Sequence, residues 1–488
     1  MRDQKILVGG EWKTGGGAQI VSINPANGKT IAQFPGAGIQ DVEEAVAAGQ
    51  AAMTAPEWRD LKPHQRAVYL RKISQGISKE SEEIAALQTE DTGKCLSETR
   101  ALVSSAASTF QYMASALETL EETLTPPRGD YLTMSVYEPI GVVGAITPWN
   151  SPIASDAQKV APALAAGNAV ILKPAEWTSL VALKFADICM RAGLPGGLLS
   201  VLPGRGSVIG DAIVRHPEIK KVSFTGGTAT GRALARIAGE KLMPVSLELG
   251  GKSPTIVFQD ADIRHAVNGV MYGIFSSSGQ SCIAGSRLFL ERSIYDQFLS
   301  ILIEKTRALK IGLPTDPETR VAPMVSFSHR DAVAAYSDMA RKEGGEILYG
   351  GFIPKGEDFD QGAFYTPTII GGLSNAATVC QEEIFGPVLV VLPFDNEEEL
   401  VADANDSVYG LACGIWTNDY KKAYRVARKV EAGTVWINTY KQFSISTPFG
   451  GVKQSGLGRE KAREGIRAYM NQKSIYWGLN SDPLPWAG

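Results

Sequence analysis

Histidine, cysteine and long apolar runs are all scarce in this sequence, and each scarcity removes a class of function. Only four histidines are present, His64, His216, His265 and His329. None stands at a zinc-ligand spacing, so a zinc hydrolase is disfavoured and no metal site is proposed. His265 and His329 fall in helix-like segments and read as solvated or hydrogen-bonded rather than catalytic. The five cysteines, Cys95, Cys189, Cys282, Cys380 and Cys413, are odd in number and form no Cys-x-x-Cys pair. That usage suits a reducing, cytoplasmic compartment better than a disulfide scaffold. No apolar stretch reaches bilayer length, and the first residues lack the apolar core of a secretory signal, so no membrane is expected as partner. A net charge of −4 offers no basic footprint for nucleic acid.

What is present is a long chain of ordinary globular composition. Its 488 residues, 44% of them hydrophobic and 20% charged, can bury substantial cores in two or three domains. Helices are expected over 41–49, 61–92 and 98–119, then strands over 131–138 and 141–146. Strand and helix then alternate, with strands at 169–172, 198–202, 220–224 and 244–248 between helices at 156–166, 179–192, 206–215 and 228–239. Short apolar strands joined by such helices need crossover connections, which predicts a mostly parallel sheet covered on both faces. A second α/β region starts at the strand 255–258, carries helices at 261–277, 292–310, 329–342, 396–404 and 419–430, and ends at the strand 434–438. Two α/β lobes should therefore meet near residues 249–251.

In a parallel sheet, ligands lie beyond the carboxyl ends of the strands, where this reading places Asn150, Lys173, Thr225 to Gly227 and Glu248. The run Gly226-Gly-Thr-Ala-Thr-Gly231 could bring amides and a helix N-terminus to a phosphate, or could simply be a tight turn. Lys173 and Glu176 could face a ribose, or could be a strand-edge lysine and a carboxylate at a helix start.

Cys282, within Gly279-Gln-Ser-Cys-Ile-Ala-Gly285, is a candidate thiol nucleophile. Free cysteines are often small buried hydrophobes. Here the serine- and glycine-rich setting suggests exposed chain near a helix start, whose amides would stabilise a thiolate. Glu248 ends the strand Val-Ser-Leu-Glu before Gly250-Gly251. Partial burial there would raise its pKa toward that of a useful general base, while a solvated edge would leave it ordinary.

Seven segments, in order, resemble those of the NAD(P)-dependent aldehyde dehydrogenase superfamily. They are Thr147-Pro-Trp-Asn150, Lys173-Pro-Ala-Glu176, Phe224-Thr-Gly-Gly-Thr228, Leu247-Glu-Leu-Gly-Gly-Lys252, Gly279-Gln-Ser-Cys282, Glu382-Glu-Ile-Phe-Gly-Pro387 and Pro448-Phe-Gly-Gly451. The resemblance implies two α/β lobes: a Rossmann-like cofactor domain at 1–119 and 138–249, and a catalytic domain at 250–450. A small β oligomerisation element with a C-terminal arm, at 120–137 and 451–488, would build a homodimer or homotetramer. Cys282 would attack an aldehyde, Asn150 and the Cys282 amide would hold the oxyanion, and Glu248 would activate water against the thioester.

The same resemblance implies a cofactor site at Ile146, Trp149, Lys173, Glu176, Gly206, Phe224, Gly226, Gly227, Leu249, Glu383 and Phe385. Glu176 would hold ribose hydroxyls and repel a 2′-phosphate, favouring NAD over NADP. Gly227 departs from the serine common in that turn, and Ala229 leaves the turn less acidic than in many members. The substrate pocket would comprise Ser151, Ser155, Gln158, Ser281, Ile283, Phe443 and Phe449, with Asp156 beside them. Ser151 and Gln158 replace the aromatics of many members, which points to a functionalised, polar or ring-bearing aldehyde. A coenzyme-A-acylating dehydrogenase would generally lack Glu248. A cysteine hydrolase or esterase would need a histidine partner, for which no nearby sequence candidate exists.

Overall fold

Four buried strands, Val142–Ile146, Ala169–Lys173, Ile219–Thr225 and Val245–Glu248, form the centre of the first sheet and run parallel. The computed structural model describes residues 4–481 and Trp486. Apolar side chains on both faces drive these strands inside. The helices Pro152–Ala165 and Leu180–Arg191 make two of the crossovers. Register brings Ile146 level with Lys173 and Phe224, and Thr225 level with Glu248. The carboxyl ends therefore form one continuous rim.

Two short antiparallel strands, Ile6–Val8 and Glu11–Lys13, extend this sheet at one edge beyond Leu199–Val201, and Gly456–Leu457 extends it at the other.

The second lobe holds a seven-stranded sheet, parallel except for its edge strand Glu346–Tyr349. Alternation along each strand feeds two cores. Ile256, Phe289 and Val390 pack on one face, and Val257, Leu288 and Val391 pack on the other. A third sheet, of three antiparallel strands, pairs Met470–Gly478 with Tyr131–Pro139 over nine residues and adds Thr123–Thr125. Among the described residues no helix is long and apolar enough to cross a membrane.

Several expectations need correction. The helix expected over 61–92 is two helices, Pro63–Lys79 and Ser81–Thr92, broken at Glu80. Glu80 is held there by Lys184 and Arg191, partners too distant in sequence to be foreseen. The segment 206–215 begins as a wide turn, Gly206–Gly210, before the helix Asp211–Arg215.

Part of the segment 451–488, expected as an arm, also packs into the first lobe. Gly456–Leu457 belongs to the first sheet, and the helix Ala462–Arg467 packs against Leu96–Glu118 and Pro152–Ala165. Tyr476 and Trp477 of the outer strand are 70% and 64% exposed, and Trp486 is exposed as well, so the chain alone does not bury its tail aromatics.

Candidate active site

The loop carrying Cys282 is set by an unusual backbone. Ser277 and Ser278 adopt φ of 57° and 53°, and Gly279 follows at 71°. Only glycine fits at 279, because a Cβ there would lie 2.1 Å from the Gly386 carbonyl oxygen. Side chains fasten the turn from several directions. Glu98 accepts from the Ser277 N–H at 2.6 Å, and Gln280 accepts from the Val325 N–H at 2.8 Å. Tyr440 donates its hydroxyl to the Ile283 carbonyl at 3.0 Å. Asn150 Nδ2 donates to the Gln280 carbonyl at 3.0 Å, which brings the carboxamide to the nucleophile's own loop.

Cys282 does not stand at a helix start, contrary to expectation. It lies between the turn Ser276–Gly279 and the strand Arg287–Glu291. Burial, with Glu383 and Glu248 as further anionic neighbours, pushes its thiol up to about 12. At rest the group is a thiol, and its proton must leave during reaction.

Glu248 ends its strand 4% exposed, and neither carboxylate oxygen has a hydrogen-bond partner among the described residues. Burial, followed by repulsion from Glu460, raises its pKa well above the usual carboxylate range. Glu460 itself is paired with the buried Lys159 at 2.6 Å. Beyond Glu248 the chain turns through Gly250-Gly251, where a Cβ at 251 would lie 2.4 Å from the Cys282 carbonyl oxygen. The base-bearing strand and the nucleophile loop are thus in direct contact, which these glycines permit.

One cavity of about 290 Å³ collects the central residues. Asn150, Glu248 and Cys282 line it, with Trp149, Leu249, Gly226, Gly227, Glu383 and Phe385 from the expected cofactor set. Ile146 and Phe224 are buried at their strand ends, off the cavity surface. Lys173, Glu176 and Gly206 form a separate cluster on the same rim. Glu176 accepts from the Gly206 N–H at 3.3 Å, and a Cβ on Gly206 would meet Lys173 Nζ at 4.0 Å.

A match to the sequence profile described as "Aldehyde dehydrogenase family" spans residues 12–475. The chain belongs to the aldehyde dehydrogenase family. It is 39% identical over 485 residues to betaine aldehyde dehydrogenase of Bacillus subtilis (strain 168), with 99% of each chain covered. Among solved structures it resembles betaine aldehyde dehydrogenase from Staphylococcus aureus in complex with NAD+, at 37% identity and TM-score 0.97 over 99% of this chain and 97% of that one. The NAD+ complex of aldehyde dehydrogenase from Bacillus cereus matches at 38% identity and TM-score 0.96, over 98% and 97%. The protein is therefore a non-phosphorylating, nicotinamide-dependent aldehyde dehydrogenase that works through a cysteine.

The dehydrogenase has a rim that fits a dinucleotide. The 13-residue helix Thr228–Glu240 starts at Gly227, where a Cβ would meet nothing within 4 Å, leaving room for pyrophosphate against the helix N-terminus. Lys173 is buried, is lowered to about 8 by that burial, and forms no ion pair among the described residues. Glu383 accepts from the Gly251 N–H at 3.0 Å and is raised to about 7 by burial.

The expected substrate residues are less unified. Ser151, Ser155 and Gln158 share one partly exposed face at the start of the helix Pro152–Ala165, outside the cavity holding Cys282. Gln158 Nε2 donates to Glu460 Oε2 at 2.5 Å, which ties this expected pocket residue to the Glu460–Lys159 pair. Asp156, expected beside the pocket, is fully buried, and its pKa is raised to about 7. Ser281 and Ile283 flank the nucleophile. Phe449 packs with Cys282 and Ile283, and Phe443 stacks edge-on against it at 5.4 Å. These two phenylalanines line a second cavity, of about 520 Å³.

Sequence reasoning missed Trp177 and set His329 aside, yet both line the cavity that holds Cys282 and Glu248. His329 Nε2 lies 2.9 Å from the Phe385 carbonyl and its ring meets Trp149 edge-on, so it is a hydrogen-bonded wall residue. Its place near the start of a helix capped by Ser326 gave no sign of that role.

Proposed function

We propose that the enzyme oxidises a polar or ring-bearing aldehyde to its carboxylic acid, with NAD as the preferred hydride acceptor. The observation that carries this reading is an unpartnered, buried Glu248 carboxylate opening on the same cavity as Cys282. Bound NAD supplies the acceptor for the hydride. Cys282 Sγ adds to the carbonyl carbon, its proton leaving to solvent, while Asn150 and the Cys282 amide hold the oxygen as charge develops. After oxidation Glu248 takes a proton from water. The water oxygen bonds to the acyl carbon, the C–S bond breaks, and the acid leaves as Cys282 regains its proton. A coenzyme-A acceptor would leave this placement of Glu248 without purpose. An aldehyde panel followed by NADH absorbance, with coenzyme A added in parallel, tests the reading: carboxylic acid should form, and acyl-CoA formation would overturn it.

The first lobe would hold the cofactor and the second the nucleophile. Glu176, anchored by the Gly206 amide beside Lys173, should take the ribose hydroxyls and exclude a 2′-phosphate. The ratio of kcat/KM for NAD to that for NADP should fall by roughly 5- to 150-fold in Glu176→Ser, the effect of one charged contact at about 1–3 kcal/mol. A wild-type preference for NADP would reverse the assignment.

Ser151 stands at the N-terminal boundary of the helix whose partly exposed face carries Ser155. Ser151→Phe should lower kcat/KM for a hydroxylated or aromatic aldehyde relative to propanal, by about 5- to 150-fold for a steric misfit of about 1–3 kcal/mol. An unchanged ratio would place Ser151 off the substrate path.

The outer strand Met470–Gly478 presents a nine-residue edge with exposed Tyr476 and Trp477. Such an edge invites pairing with another chain. A homodimer or homotetramer built by extending this sheet would cover it. Five free cysteines fit a cytoplasmic location.

A further inference from the structure

One lysine lies at the base of the nucleophile loop and another over the Phe443–Phe449 wall, and among the described residues neither forms an ion pair. Lys441 Nζ donates to Ser276 Oγ at 2.7 Å, at the base of the nucleophile loop. Lys461 Nζ lies over the Phe443 ring, 4.0 Å from its centroid, and 5.2 Å from that of Phe449. The nearby acids are committed elsewhere: Glu460 to Lys159, and Glu98 to the Ser277 amide. Glu248 is buried, and its pKa is raised by that burial.

Both lysines also sit on backbone that L-residues rarely adopt. Lys441 has φ of 54°, while Lys461 has φ of 63° with ψ of −175°, a region nearly reserved for glycine. Backbone bonds hold Lys461 in place. Glu460 and Phe449 exchange N–H to carbonyl bonds at 2.8 and 2.9 Å, and the Ala462 N–H donates to Ile445 at 2.9 Å. Phe449 in turn packs on the same apolar cluster as Cys282, around Ile283 and Tyr440. The fold thus spends conformational strain to keep one cation at the base of the nucleophile loop and another over the phenylalanine wall.

We propose that Lys441 and Lys461 recognise a carboxylate, and that the preferred substrate is an aldehyde carrying one at its far end, an ω-oxo acid. This deepens the function proposed above and rests on it. Burial lowers both ammonium groups, Lys441 to about 8, and an incoming carboxylate would relieve that penalty. A trimethylammonium substrate, by contrast, would need the ring faces that Lys461 covers and would meet like charge.

The test compares 5-oxopentanoate, pentanal and betaine aldehyde in the wild type, in Lys441→Met, in Lys461→Met and in the double variant. In the wild type kcat/KM for 5-oxopentanoate should exceed that for pentanal by about 10-fold or more, and betaine aldehyde should be the poorest of the three. Each Met substitution should reduce the 5-oxopentanoate to pentanal ratio by roughly 10-fold, the effect of one charged hydrogen bond, and Lys461→Arg should restore part of it. Glutarate should compete with pentanal in the wild type and weaken as a competitor in the variants. A wild-type preference for pentanal or betaine aldehyde, or a ratio unchanged in the double variant, overturns the lysine assignment. If pentanal is oxidised but the acid is not favoured, only that assignment falls. If none of the three yields NADH, the proposed function falls with it.

Discussion

Cys282→Ser is expected to lose aldehyde-dependent NADH formation by about 1,000-fold or more, because the group that bonds to the carbonyl carbon is gone. A serine hydroxyl is a far weaker acid than a thiol, and the burial that already raises the thiol to about 12 would hold the alkoxide further out of reach. The structural change is small. The loop's shape is set by the Ser277, Ser278 and Gly279 backbone, the Glu98 and Gln280 side chains and the Tyr440 hydroxyl, none of which uses Sγ. NAD binding, followed by quenching of protein fluorescence, should stay near wild type. Wild-type turnover in this variant would sink the covalent mechanism.

Glu248→Gln should separate the two halves of the reaction. If the carboxylate mainly activates water, the variant should release one equivalent of NADH per site in a burst and then stall as a Cys282 thioester, visible by mass spectrometry. Absence of both burst and adduct in a folded protein would assign Glu248 to the thiol's proton as well. The pH dependence has a definite sign. The base form exists above the raised pKa, so wild-type steady-state turnover should fall as pH drops through it, and the variant should lack that limb. Stability runs the other way. The folded state binds the Glu248 proton more tightly than the unfolded state does, so ionisation costs stability as pH rises from the usual carboxylate range toward the raised value. The glutamine variant, free of that cost, should melt no lower than wild type at pH 8.

Much of this site is legible in the sequence for one physical reason: a parallel sheet places its chemistry where strands end. Asn150, Lys173, Thr225 and Glu248 each follow or close a short apolar run, and period and turn residues locate such ends well. Properties that depend on distant partners are not legible. The ionisation of Cys282 follows from its burial and then from the nearby Glu383 and Glu248, which no local pattern encodes. Gln158 is engaged by Glu460, 302 residues away, and the helix break at Glu80 depends on Lys184 and Arg191. Lys461 looks like an ordinary charged residue at a helix start until the fold sets it over two rings.

The stretch from Phe449 to Gly478 touches every part of the machine in turn. It supplies a wall beside Cys282, passes Glu248 at Gly450, adds Gly456–Leu457 to the first sheet, and ends in the exposed strand beside Tyr131–Pro139. A chimaera that imported this stretch from a relative would exchange the substrate wall, a neighbour of the base and the outward-facing edge in one move. Changes to the wall and changes to the outer edge strand therefore fall in one stretch of chain, and directed evolution of either should be screened for effects on the other.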